Sequence, residues 1–227
     1  MELRYLGHSA VSLTDGDTRL LIDPFLTHNP KAAVSAEEVD PTHVLLTHGH
    51  QDHYGDTVAI ARRTGATVLA ITEVAEELAA EDGLDDVRDP NLGGTVTFDW
   101  GWVKVVPAWH TSTTPKGTAS VPAGLLIKVG DTVVYHLGDT ALFSDLQLVA
   151  RRGDQVDVAL VPIGGHYTMD RHDAVTAVEF VNPTTVIPCH YDTFPPIETD
   201  AEAFKSDVEN STGASVVILQ PGETHSA

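Results

Sequence analysis

The chain has 227 residues, 42% of them hydrophobic and 20% charged, a globular balance long enough for one large domain or two small ones. Its 33 Asp and Glu against 13 Lys and Arg give a net charge of −20, which speaks against nucleic-acid backbones and anionic membranes as partners. With no apolar run near the roughly 18 residues of a membrane span, no basic-then-apolar N-terminal segment, and Cys189 as the one cysteine, the expectation is a cytoplasmic protein without an intrachain disulfide.

Glycine and proline punctuate the chain regularly, and the stretches between them read as strands alternating with helices. Strands are expected at Leu3 to Leu6, Ala10 to Thr14 and Arg19 to Ile22, with Asp15-Gly16-Asp17 as a hairpin turn. His43 to Thr47 reads as a buried strand, Thr57 to Arg63 as helical, Thr67 to Ile71 as a strand, and Thr72 to Ala80 as an acidic helix capped by Thr72. The acidic patch from Glu73 to Asp89 reads as a solvated helix face and loop. Thr95 to Phe98, Val103 to Ala108, Ala123 to Val129 and Thr132 to His136 are further strands, the last pair joined by Gly130-Asp131. Helices at Leu142 to Ala150, Asp170 to Val181 and Asp200 to Ser211 then alternate with strands at Val156 to Val161, Thr184 to Pro188 and Ser215 to Leu219. The repeated rhythm predicts an α/β (α+β) fold of two similar halves, each with a sheet, in one domain over residues 1–227.

The run His48-Gly49-His50-Gln51-Asp52-His53 packs three imidazoles and a carboxylate into six residues. Imidazole nitrogen and carboxylate oxygen are the ligands of zinc and related transition metals. The apolar run Val44-Leu45-Leu46-Thr47 feeds into it, and Gly49 between two histidines permits a tight loop. Six residues cannot close a two-metal site alone. His110, Asp139 and His190 each stand just beyond an expected strand, where α/β folds carry functional side chains.

This order (His-x-His-x-Asp-His, a later His, a later Asp, a final His) resembles the metallo-β-lactamase superfamily over nearly the whole chain. Tyr5-Leu6-Gly7-His8-Ser9, Ile22-Asp23-Pro24-Phe25, Leu137-Gly138-Asp139-Thr140 and Pro188-Cys189-His190-Tyr191-Asp192 look like its branch of small bacterial and archaeal metal-dependent hydrolases of unassigned substrate. That branch is similar in outline to L-ascorbate-6-phosphate lactonase. The resemblance implies a four-layered αββα sandwich with the site at one edge. It implies two adjacent divalent metals, zinc first and manganese or iron as alternatives. His48, His50 and His110 would hold one, Asp52, His53 and His190 the other, and Asp139 would bridge them. The spacing of Asp52 favours zinc hydrolysis over di-iron oxygen chemistry.

Other residues carry two readings each. His8 either faces the pocket as a donor to substrate or leaving group, or bonds a neighbouring loop. Asp23 either orients a ligand histidine or caps the turn before Pro24. His136 reads as a core or supporting histidine, and Cys189 as a small buried hydrophobe. His166, in Gly164-Gly165-His166-Tyr167, departs from the branch pattern and is a second candidate acid or pocket residue. His28, His43, His172 and His225 read as exposed, and Thr111 to Val121 as a lid or a mobile connection.

The functional expectation is a dinuclear metal-dependent hydrolase. Metal-bridging hydroxide attacks an ester, lactone or phosphodiester-type small molecule, Asp52 orients the nucleophile, and His8, His166 or solvent protonates the leaving group. Lys116 and Arg171 are the only cations in the candidate pocket loops, which leans the substrate toward a neutral or weakly anionic ester or lactone. The readings from other classes are an iron-binding redox protein and a non-catalytic metal-binding module on the same fold. The resemblance also allows a homo-oligomer, and the acidic composition suggests adaptation to high salt.

Overall fold

The computed structural model describes residues 1–149 and 155–227. Its strands form two seven-stranded sheets. The first holds β1 (Glu2–Gly7), β2 (Ala10–Asp15), β3 (Thr18–Ile22), β4 (His43–Leu45), β5 (Thr67–Leu69), β6 (Val87–Arg88) and, beside β1, the C-terminal β14 (Thr224–Ser226). The second holds β7 (Thr95–Phe98), β8 (Gly101–Pro107), β9 (Ala123–Val129), β10 (Thr132–His136), β11 (Val158–Pro162), β12 (Thr185–Cys189) and β13 (Ser215–Val216) in spatial sequence. Both sheets share one rhythm. Antiparallel hairpins come first, and the strands turn parallel from β3 to β4 and from β10 to β11. The two similar halves expected from sequence are therefore present, with β14 crossing back to close the edge of the first sheet.

Side-chain alternation stacks the layers. Leu125 and Ile127 of β9, Val134 of β10, Leu160 of β11 and Ile187 of β12 join one core with the first sheet and with α2 (Thr57–Thr64) and α3 (Thr72–Ala80). Their neighbours Leu126, Val133, Tyr135, Val161 and Val186 point the other way, into a second core with α5 (Arg171–Val181) and α6 (Ala201–Ser211). The period of two sends alternate residues to opposite faces of one sheet, so the second sheet is apolar on both sides and must be covered on both. This is the αββα sandwich.

Helix starts follow local chemistry. Asp170 caps α5 by accepting from the His172 and Asp173 amides, and Asp200 caps α6 through Ala203. Thr72 does not cap α3. Ile71 occupies the cap position, and the Thr72 hydroxyl donates to the Asp89 carbonyl. The helix expected at 142–150 is seen as α4 (Leu146–Val149), and Ala150 lies outside the described residues. The strand expected to run to Leu219 stops at Val216. His43 and His225 are not exposed: His43 is half-buried in β4 and accepts from Trp100 Nε1 at 3.2 Å, and His225 pairs with Leu3 in β14. Among the described residues no helix is long and apolar enough to cross a membrane.

Candidate metal centre

The chain beyond β4 turns through buried Thr47 and His48 into α1 (Gln51–Tyr54), with His50 at the cap position in extended conformation. This strand-to-helix turn aims His48, His50, Asp52 and His53 toward one point. Gly49 is required for space rather than for a left-handed backbone. A Cβ there would stand 3.0 Å from Thr114 Cγ2 and 3.1 Å from the Thr114 amide nitrogen. The Gly49 N–H donates to Ser112 Oγ at 2.9 Å, and Thr114 is buried with its hydroxyl on Glu77. The segment after His110 is thus pinned over the ligand loop. These bonds anchor Ser112 and Thr114, and Glu77 belongs to the interior rather than to a solvated acidic face.

His110, Asp139 and His190 follow β8, β10 and β12 and reach the same point. His48 Nε2 lies 3.1 Å from His50 Nδ1, and His48, His50 and His110 offer ligand atoms within 4.8 Å of one another. His8, Asp52, His53 and His190 form a second such group, and His48, His53 and Asp139 a third. Asp139 faces both sides: Oδ1 is 3.3 Å from His53 Nε2, and Oδ2 is 3.0 Å from His190 Nε2 and 3.6 Å from His110 Nε2. All seven residues expected as ligands are brought together.

Backbone strain concentrates at this point. His8, Asp23 and His190 have φ of 60°, 47° and 53°, in the left-handed region that non-glycine residues seldom enter. The His8 carbonyl accepts from both the Tyr5 hydroxyl (3.0 Å) and the His190 amide (2.8 Å), which ties two of the strained residues together.

Asp23 organises the histidines. Its Oδ2 accepts from His53 Nδ1 at 2.7 Å and from the Thr47 hydroxyl at 2.7 Å, and its Oδ1 accepts from the Thr47 amide at 2.8 Å. Because the Thr47 proton is committed to Asp23, Thr47 Oγ1 is left to accept from His48 Nδ1 at 3.0 Å. Both rings therefore turn Nδ1 away from the centre and Nε2 toward it, the orientation a metal ligand needs. Burial pushes the pKa of His53 down, but the Asp139 and Asp23 carboxylates outweigh it and raise it well above the usual histidine value. The centre attracts positive charge. His53 Nε2, His190 Nε2 and Asp139 Oδ1 are buried without a hydrogen bond. Such groups are costly unless something satisfies them, and a cation among nitrogen and carboxylate donors fits.

His8 is buried beside Asp52, and His166 is exposed outside the cavity lining. His8 is 1% exposed, with Nε2 3.1 Å from Asp52 Oδ2 and Nδ1 2.9 Å from Thr193 Oγ1. A carboxylate only accepts, so Nε2 carries the proton, and the Thr193 hydroxyl donates to Nδ1. Burial lowers the pKa of His8 to about 4 against the pull of Asp52, which keeps the ring neutral. His166 is exposed and off the cavity wall. It sits with Gly165 in a turn of two positive-φ residues (48° and 66°) that brings the next residue, Tyr167, to the cavity. His136 is a buried support, accepting from the Gly138 amide and donating from Nε2 to the Ser9 carbonyl.

The cavity over the centre has a volume of about 760 Å³. Besides the candidate ligands it is lined by Gln51, Thr111, Phe25, His28, Tyr167 and Phe194, and sequence reasoning placed none of the last four there. The Phe25–His28 segment is locked to the ligand helix. Asp56 accepts from the Leu26 and Thr27 amides, and a Cβ on Gly55 (φ 42°) would come 2.3 Å from the Pro24 carbonyl oxygen. His28 is exposed, as expected, but at the cavity wall.

Comparison with known proteins agrees with this geometry. The sequence profile of the beta-lactamase superfamily domain matches residues 2–190. The chain is 49% identical over 224 residues to a UPF0173 metal-dependent hydrolase of Thermus thermophilus, covering 98% of this chain and 97% of the relative. It is 48% identical over 227 residues to one from Symbiobacterium thermophilum, covering 99% of each. A solved structure of Igni18, a metallo hydrolase of Ignicoccus hospitalis, superposes with a TM-score of 0.90 at 37% identity, covering 99% of this chain and 97% of that one. The chain belongs to the metallo-β-lactamase superfamily, in its branch of UPF0173 metal-dependent hydrolases.

Proposed function

We propose that the protein is a dinuclear metal-dependent hydrolase of small molecules with an ester, lactone or phosphodiester bond. One observation carries the reading: Asp139 stands within reach of both ligand sets, with Oδ2 3.6 Å from His110 of the first and 3.0 Å from His190 of the second, and with Oδ1, 3.3 Å from His53 of the second, buried and unbonded. His48, His50 and His110 would hold one divalent ion, Asp52, His53 and His190 the second, and Asp139 both. When bound, such ions supply an activated water at neutral pH and Lewis acidity toward the substrate oxygen.

The chain's own residues do the rest. Asp23 fixes the His53 ring directly and the His48 ring through Thr47, so the donor atoms are set before substrate arrives. His8 is a positioning residue, holding Asp52 Oδ2 by its Nε2–H. Asp52 and Asp139 line the cavity where the reacting bond must lie. His8 is bonded to Asp52 and Thr193 and His166 lies off the wall, so solvent entering the cavity protonates the leaving group.

The test is a panel of esters, lactones and phosphodiesters on zinc- and manganese-loaded protein, with His50→Ala and Asp52→Ala as controls. Turnover that both substitutions abolish supports the reading. Full activity in metal-free protein overturns it. Metal occupancy without turnover of any substrate favours a binding module instead.

A further inference from the structure

The cavity wall is unusual in what it lacks. Among the described residues its lining includes no Lys or Arg. The two cations nearest in the pocket loops are committed elsewhere: Lys116 Nζ lies 2.6 Å from Asp82 and 3.8 Å from Glu81, and Arg171 pairs with Asp207. Away from the candidate ligands the wall offers Phe25, Phe194 and the half-exposed ring of Tyr167, with Gln51, Thr111 and His28 as its polar members. The Phe25 and Phe194 centroids are 6.4 Å apart, and both rings meet His8 edge-on at 5.8 and 5.6 Å, so the pair is fixed against a buried side chain. The segment carrying Phe25 is held by Asp56, and Phe194 precedes a short 3-10 turn at Pro195–Ile197. The protein as a whole carries −20, so an anionic group distant from the centre meets repulsion and, among the described lining residues, no cationic partner.

We infer that the cavity selects an ester or lactone whose non-reacting part is uncharged and apolar, an acyl chain or an aromatic ring, and that Phe25, Phe194 and Tyr167 are the selecting residues. This rests on the hydrolase reading above and adds the substrate class to it. Three aromatic surfaces, two of them fixed, reward each methylene removed from water, up to about fourfold per group at full burial. None of them carries a positive charge, so a distal carboxylate or phosphate would lose hydration on entering without gaining a countercharge.

The experiment uses metal-loaded full-length protein and one leaving group throughout. The 4-nitrophenyl esters of acetate, butyrate and hexanoate vary chain length, and the mono-4-nitrophenyl ester of adipate places a carboxylate at the far end of a six-carbon chain. The expected kcat/KM rises at least tenfold from acetate to hexanoate and falls at least tenfold from hexanoate to adipate. Phe194→Ala and Phe25→Ala should each compress the hexanoate-to-acetate ratio toward one. A flat chain-length series, or adipate equal to hexanoate, overturns the inference while leaving the hydrolase reading intact. A second measurement is independent of turnover. Calorimetric titration with acetohydroxamic and octanohydroxamic acids should show at least tenfold tighter binding of the longer chain, lost in Phe194→Ala. Equal affinities would overturn the inference even if no ester were hydrolysed.

Discussion

Asp23 Oδ2 lies 2.7 Å from His53 Nδ1 and 2.7 Å from Thr47 Oγ1, which in turn meets His48 Nδ1 at 3.0 Å, so one buried carboxylate sets two histidine rings. Asp23→Asn removes an acceptor where three donors converge. Its expected effect is a loss of about 10–100-fold in metal affinity, measured by competition with a chromophoric chelator. Thr47→Val should weaken binding less, since it releases only the His48 ring. Unchanged affinity in Asp23→Asn would remove Asp23 from the account.

Gly49 tests whether space governs the ligand loop. The Cβ of Gly49→Ala would press on Thr114 at 3.0–3.1 Å, where backbone as well as side chain must yield. A destabilisation of about 1–3 kcal/mol is expected from overpacking, read from urea denaturation, together with reduced metal content. A neutral result would show that the 112–114 segment gives way freely.

Glu77 is 4% exposed and accepts the Thr114 hydroxyl at 2.5 Å, linking α3 to the segment that covers Gly49. Glu77→Ala leaves that hydroxyl without its partner and should cost about 1–3 kcal/mol. Limited proteolysis should then cut within 115–119 faster than in the parent protein. An unchanged cleavage pattern would show that the other bonds of this segment hold it alone.

Cys189 is the one cysteine, 1% exposed, and burial pushes its thiol well above the usual range. A thiol reagent such as dithionitrobenzoate should release no chromophore from native protein at pH 8 and one equivalent in guanidinium. Rapid labelling of the native protein would contradict the packing of β12.

The charge of −20 sets the salt response. Exposed like charges repel across distances that molar salt screens, so Tm should rise between 0.05 and 1 M KCl in a thermal melt. A flat or falling Tm would argue against adaptation to high salt.

How much of this is legible in the sequence follows from chain distance. His48 to His53 is local, and His110, Asp139 and His190 stand at strand ends that periodicity marks, so the ligand set can be read. Asp23 stays open between two roles because His53 lies thirty residues away and only the parallel pairing of β3 with β4 places them side by side. His166 draws attention ahead of Tyr167 because imidazole chemistry is visible in a sequence and a positive-φ turn is not. Phe25 and Phe194 are ordinary aromatics until Asp56 and the edge-on contacts with His8 fix them. β14 pairs with β1 across nearly the entire chain, beyond any local signal.

The central claim is a two-ion centre bridged by Asp139. Its most direct measurement is the number of divalent ions per chain at saturation, by elemental analysis after loading and gel filtration, for the parent protein and Asp139→Asn. Two ions per chain in the parent, and a clear loss of occupancy in folded Asp139→Asn, are expected. One ion or none in the folded, loaded parent protein would contradict the account.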